Sequence, residues 1–251
     1  TYDVTDEIIQ GENAIAASLA GGWYSGRVSD FLDRDHKLPA RLLAQLEITY
    51  ADGETQIVTT EKDWMASQSG PIRFASIYDG EHYDQAREFK GWNNVKFNSS
   101  EWVEAVEEPL DSSVAIEPKR HAPIRFTQEM PIIDIVSVKN GTAVFDFGQN
   151  MVGVPKLRIP VLAGQDVKIR FAEALHKGEF YTDNYRSAQS TNIYMPSETG
   201  WIEYLPTFTY HGYRYIEISG YDPAFAPAAD WATAMIQHSD IHVHANFESS
   251  H

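Results

Sequence analysis

Asp79, Glu81 and Asp84, interleaved with Tyr78 and Tyr83 and followed by Trp92, form the stretch of this 251-residue chain best equipped for chemistry. In extended backbone Asp79 and Glu81 share a face, because side chains alternate with period two. Carboxylates accept from paired hydroxyls, and an aromatic ring offers a flat apolar surface to a sugar ring. The stretch therefore reads as a candidate carbohydrate contact. The commoner fate of such a loop is a solvated turn, here with ion pairs to Arg87 or Arg27. Glycoside hydrolysis asks for more: two carboxyls facing each other about 5–10 Å apart across the scissile bond. Nothing in the chain is more specific than acids in a loop, so no catalytic residue is assigned.

Asp146-Phe147-Gly148-Gln149-Asn150 is a second concentration of polar groups, set between two apolar runs. Gly148 supplies backbone freedom for a tight turn or bulge. Gln149 and Asn150 then either line a polar pocket or another domain, or bond backbone groups in the turn, the more ordinary role. His211-Gly212-Tyr213-Arg214-Tyr215 reads as a strand with both tyrosines on one face and Arg214 on the other, paired to an acid such as Glu173. His238, Asp240, His242 and His244 fall on one face of an expected final strand and are zinc-compatible types. Same-face neighbours rarely wrap one ion without a turn, so a solvated face is expected. Asp30, Asp33 and Asp35, around Arg34 and His36, offer hard oxygens at spacings that match no calcium loop. No metal ligand is assigned.

The elements that must position these groups are strands. Leu42–Tyr50, the Asp52-Gly53 turn and Thr55–Thr59 make a strong hairpin signal. Further strands are expected over 132–138, 142–147, 155–160, 166–174, 190–195, 213–219, 231–237 and 241–247. Only 100–106 has short-helix character, and 13–19 suits helix or strand. Many short strands between Gly, Pro and Asp turns predict an all-β chain of two β-sandwich, jelly-roll-like domains. The polar, Pro-containing run over 107–123 reads as a connector, dividing the chain into 1–110 and 120–247.

Composition narrows the partners. Twenty basic against 36 acidic residues leave a net charge of −16, which repels phosphate backbones and argues against nucleic acid. No apolar run approaches the roughly 18 residues of a membrane helix, so no membrane partner is expected. The absence of Cys removes disulfide scaffolds and thiolate metal sites. The compartment stays open between cytoplasmic and exported.

Phe145-Asp146-Phe147-Gly148-Gln149-Asn150-Met151-Val152-Gly153, then Phe171-Ala172-Glu173-Ala174-Leu175, then Tyr210–Tyr215, resemble in order and spacing the β-sandwich that precedes the catalytic barrel of bacterial α-L-rhamnosidases. Tyr2-Asp3-Val4-Thr5, Gly11-Glu12-Asn13, Gly22–Arg27, Ile77–Asp84, Gly91-Trp92 and Trp102 resemble that family's N-terminal sugar-binding module. The resemblance implies several strands upstream of Tyr2, leaving the first sandwich incomplete with an exposed edge. It also implies a catalytic helical barrel after a segment like Ala245–Ser250, inverting cleavage of terminal rhamnose by the full enzyme, and calcium-assisted rhamnose binding. The chain departs from the family at Thr191-Asn192-Ile193-Tyr194, where Thr-Asp-x-Tyr is common.

Three functions follow as expectations. The leading one is a non-catalytic accessory region that binds or positions rhamnose-containing glycans for the barrel. The others are a stand-alone lectin-like sugar binder and a purely structural docking module. The expected carbohydrate contacts are Tyr78, Asp79, Glu81, Tyr83, Asp84, Trp92, Gln149 and Asn150.

Overall fold

The computed structural model describes residues 2–26, 39–109, 113, 115, 117, 120–242 and 244–250. Sixteen strands run through them. They are β1 (Gln45–Thr49), β2 (Thr55–Thr59), β3 (Met65–Ala66), β4 (Ile72–Ser76), β5 (Gly80–Asp84), β6 (Val103–Glu104), β7 (Ile124–Pro131) and β8 (Asp134–Lys139). After these come β9 (Thr142–Val161), β10 (Val167–Ala172), β11 (Ala174–His176), β12 (Glu179–Tyr181), β13 (Thr191–Met195), β14 (Gly200–Tyr204), β15 (His211–Ser219) and β16 (Ala232–Ser239). The one α-helix among the described residues is the four-residue Gly22–Ser25.

Ten strands form one curled sheet in the order β4-β5-β13-β10-β15-β9-β16-β7, with β8 and β14 also on β9. The 20-residue β9 makes the curl. Its first half pairs with β15 and β8, its second half with β16 and β14. The strand passes from one layer to the other at Gly153, which is in register with His211 of β15 and Ile236 of β16. A Cβ at Gly153 would strike the Met235 carbonyl, so the crossing needs a residue without one.

Alternation along the strands sends one set of side chains between the layers. Phe145, Phe147, Leu157, Ile159, Ile169, Phe171, Tyr213, Ile216 and Ile218 meet there with Trp231. Burying such side chains is worth about 1.5–3 kcal/mol each, which makes this interior the main source of stability. A smaller cluster of Val144, Ala172 and Tyr215 lies on the outer face of the first layer, under Val136, Leu175 and Phe180.

β1 and β2 pair only with each other among the described residues, and Leu43, Tyr50 and Ile57 are exposed there. The β4–β5 hairpin belongs to the main sheet instead, because β5 runs parallel to β13. The sheet thus extends across the expected 110–120 division.

Several elements differ from expectation. The two strands over 142–147 and 155–160 are one strand. Residues 100–106 form a turn and β6 rather than a helix, and 13–19 are neither helix nor strand. The last strand among the described residues ends at Ser239, and the described residues of 241–247 are not in a strand. Tyr213 and Tyr215 enter different clusters on opposite faces, because the pairing with β9 shifts between them.

Candidate functional site

The β4–β5 hairpin brings Asp79 and Glu81 into the sheet. Ser76 Oγ accepts from the Tyr78 and Asp79 N–H groups, both at 3.2 Å, and tightens the turn. Gly80 follows at φ +119°, where any side chain would strike the Thr191 carbonyl. Asp79 Oδ1 accepts from Gln189 N–H at 3.0 Å. Glu81 is fully buried. Its carboxylate accepts from Tyr204 Oη at 2.8 Å and from the N–H groups of Thr207 and Phe208 at 3.1 and 2.8 Å. Its own N–H donates to Asn192 Oδ1 at 3.0 Å.

His211 completes this interior network. Its Nδ1 lies 3.0 Å from Ser190 Oγ, and its Nε2 lies 3.3 Å from both Thr209 Oγ1 and Asn192 Oδ1. The ring stacks on Phe171 at 3.9 Å. Burial drives the His211 pKa down to about 3, so the imidazole is neutral at ordinary pH. Burial pushes Glu81 above the usual carboxylate range, against the lowering effect of its three donors. Asn192 Nδ2 has no hydrogen-bond partner among the described residues. The network fastens the hairpin to β13 and β15.

The rest of the segment splits between packing and surface. Tyr83 stacks on Tyr194 at 5.5 Å, and both rings tilt over Tyr204. Tyr83 donates to Glu88 at 2.7 Å. Asp84 accepts from Ala86 N–H and from Arg87 Nε at 3.0 Å, which is the expected Arg87 pair. Tyr78 and Trp92 are half-buried. Arg27 lies outside the described residues.

The second candidate is a bulge inside β9. Tyr213 pairs with Met151 and Tyr215 with Asp146, so Phe147, Gly148, Gln149 and Asn150 all stand opposite Arg214. Phe147 turns into the interior against Tyr213, while Gly148, Gln149 and Asn150 are exposed. Arg214 closes the bulge with two 2.8 Å bonds to Asp146, rather than pairing with Glu173. The Gly148 N–H adds a third bond to Asp146 at 2.6 Å. These bonds, Arg214's above all, hold the Asp146 carboxyl below its ordinary range. Glu173 instead accepts from Asn184 at 2.8 Å and Asn150 at 3.5 Å. All three sequence blocks of the second half thus meet across β9, β15 and β10.

The two candidate regions stay apart. β5 and β9 are four strand spacings from each other in the sheet order, about 19 Å at ~4.8 Å per spacing. Ser76, Tyr204 and Thr209 are not among the residues that stand out in the sequence, because their partners lie more than 100 residues away, and Asn192 stands out there only as the departure from the family's Thr-Asp-x-Tyr run. Their one signal is a polar residue inside an apolar strand, as at Asn192 in β13.

No group of three His, Cys, Asp or Glu among the described residues is arranged to hold a metal ion. Asp30, Asp33 and Asp35 lie outside the described residues. Of the His238–His244 stripe, only His238 is in a strand, and Asp240 pairs with Arg125 at 3.4 Å.

Residues 1–128 match the α-L-rhamnosidase N-terminal domain, and residues 136–238 match the bacterial α-L-rhamnosidase concanavalin-like domain. The chain belongs to the bacterial α-L-rhamnosidase family. An α-L-rhamnosidase of Alteromonas sp. (strain LOR) is 52% identical over 250 residues, covering 100% of this chain and 27% of that protein. One from Formosa agariphila is 42% identical, again over 100% of this chain and 27% of the relative. The solved Streptomyces avermitilis α-L-rhamnosidase complexed with L-rhamnose superposes with a TM-score of 0.79 at 37% identity, covering 87% of this chain and 21% of that one. The Aspergillus terreus enzyme gives the same TM-score at 34% identity, covering 87% of this chain and 25% of that one. The rhamnosidase-family chain thus spans about a quarter of the length of the curated relatives it matches.

Proposed function

We propose that this chain is the accessory, non-catalytic region of an α-L-rhamnosidase, which binds or positions rhamnose-containing glycans for a catalytic helical barrel. The observation that carries the reading is the joint between the two segments. The hairpin bearing Asp79, Glu81, Tyr83 and Asp84 is hydrogen-bonded into the sheet that bears Gln149 and Asn150. Contacts on the 1–110 segment are thereby held at a fixed distance from those on the 120–247 segment, as a positioning device requires.

Within this reading the interior carboxylates of Asp79 and Glu81 hold the hairpin in shape. Tyr78, Tyr83, Asp84 and Trp92 supply the sugar contact. Stacking buries apolar ring surface, whereas an exposed hydrogen bond mostly replaces one to water. Gln149 and Asn150 face either the glycan or the barrel from the bulge.

Calorimetric titration with L-rhamnose tests this. Binding should weaken clearly in Trp92→Ala or Tyr83→Ala. If both leave the titration unchanged while Gln149→Ala abolishes it, the site is the bulge. No heat of binding in the parent chain would leave the purely structural docking role.

A further inference from the structure

The β8–β9 turn carries a pair of residues whose chemistry neither candidate region uses. Lys139 of β8 stands in register with Thr142 of β9, so Asn140 and Gly141 alone make the connection. Both have positive φ, +52° and +73°, as a type I′ hairpin turn requires, and Asn-Gly is the favoured sequence for that turn. The same dipeptide sets a side-chain amide directly before the one residue type whose backbone nitrogen no side chain shields.

The surroundings leave that nitrogen open. Asn140 and Gly141 are exposed, and a Cβ built on Gly141 meets nothing within 4 Å. In a two-residue hairpin the closing bonds belong to the flanking residues, here Lys139 and Thr142, so the Gly141 N–H lies outside the ladder. β8 pairs only with β9 among the described residues, so this end of the hairpin is clamped from one side. Local opening at such an exposed end costs far less than global unfolding.

No other asparagine combines these features. Each of the others precedes a residue with a side chain. The Asn13 amide also donates to the Ile9 and Gly11 carbonyls at 2.8 and 3.1 Å. Asn184 donates to Glu173 at 2.8 Å, and Asn192 is fully buried.

We propose that Asn140 is a site of spontaneous deamidation, which converts the β8–β9 turn to a mixture of aspartate and isoaspartate. The Gly141 nitrogen attacks Asn140 Cγ. An N–Cγ bond forms, the Cγ–Nδ2 bond breaks, and ammonia leaves with the amide proton, giving a five-membered succinimide. Solvent water then opens the ring without any change in oxidation state. Addition at Cγ gives aspartate with the main chain unchanged. Addition at the Asn140 carbonyl carbon gives isoaspartate, in which the main chain runs through the side-chain carbons. Either product adds a negative charge to a chain already at −16, beside Lys139, whose ammonium pairs with Glu179 at 3.2 Å. Isoaspartate also lengthens the main chain inside a turn sized for two residues, so the closure between Lys139 and Thr142 is lost.

The test is peptide-mapping mass spectrometry of the whole folded chain, held in mildly alkaline buffer made with heavy-oxygen water. The peptide containing Asn140 should lose its amide and take up one heavy oxygen. It should resolve into two products of equal mass, of which an isoaspartate-specific carboxyl methyltransferase labels one. Asn140→Gln, which would need a six-membered ring, and Gly141→Ala should each slow the reaction at least about tenfold. In the isoaspartate form, amide hydrogen exchange over 134–139 should be at least about tenfold faster than in the parent chain. An amide kept intact at Asn140 in the folded chain, while the same chain in denaturant loses it, would overturn the proposal, because the turn would then protect the residue. Faster loss at any other asparagine would overturn it too. Unchanged exchange over 134–139 would overturn the loss of turn closure.

Discussion

Tyr204 donates its phenolic proton to Glu81 at 2.8 Å across 123 residues of sequence, and neither group reaches solvent. The bond joins the early hairpin to β14, so a carboxylate that looks like a surface acid is a fastening point of the interior.

Glu81→Ala should therefore lower stability by about 2–4 kcal/mol, because it strands three donors away from water. Glu81→Gln keeps an acceptor oxygen and should cost less. Chemical denaturation with both variants checks the order. Equal stability of Glu81→Ala and the parent would contradict the anchoring role.

Acid should act on Asp146 and Glu81 in opposite directions. Asp146 is held below its ordinary 3.8, so its contribution is full above that value and is lost as pH falls through the lower folded pKa. Glu81 is raised above its ordinary 4.5, so its contribution is full below that value and is lost as pH rises through the folded pKa. The deficit of Asp146→Asn should accordingly shrink on acidification, and that of Glu81→Gln should shrink as pH rises. Denaturation midpoints over about pH 3–7 decide it.

His211 adds to the acid sensitivity. Its folded pKa of about 3 lies below its ordinary 6.5, so the unfolded chain binds the extra proton between these values. Stability should fall as pH drops through that window. Ring-proton NMR should show His211 still neutral near about pH 5. A titration midpoint near its ordinary value would rule out the buried setting.

Gly153→Ala should destabilise the sandwich by about 3 kcal/mol, since the added methyl meets backbone rather than a movable side chain. Thermal unfolding is the measurement. Gly164→Ala is the control: it also replaces a glycine, but in open space at a left-handed turn, and should cost less.

The chain on its own should not release rhamnose from an aryl rhamnoside. Glu81 is sealed in the interior and Asp146 is clamped by Arg214, so neither is free to act as one of a facing acid–base pair. Turnover that survives purification and vanishes in Glu81→Gln would refute this.

Much of the strand inventory was legible because it rests on local signals. The Asp52-Gly53 turn announces β1 and β2, and alternation marks β10, β13, β15 and β16 to within a few residues. The full length of β9 was hidden, since Asp146–Asn150 has the composition of a turn, and the strand continues through it by the Arg214 and Gly148 bonds to Asp146 and by backbone pairing with β15 that resumes at Met151. The partner of Arg214 was misread for a related reason. Asp146 and Glu173 both flank β15, and the choice between them depends on the pairing shift at Tyr213/Tyr215. At the candidate site, residue types pointed to a polar segment, but not to which acids are interior. Burial of Glu81 depends on donors from residues 204–208, which no spacing within 77–92 can foretell.

The parallel pairing of β5 with β13 also sets an order in time. Glu81 and Asn192, whose side-chain oxygen accepts from the Glu81 N–H, are 111 residues apart, and ribosomes add about 5–20 residues per second, so roughly 5–20 s separate their synthesis. Throughout that interval the nascent hairpin holds an acid without its donors and tyrosines without their neighbours. The early part of the chain must wait in solution, or on a chaperone, for a strand that has not yet been made.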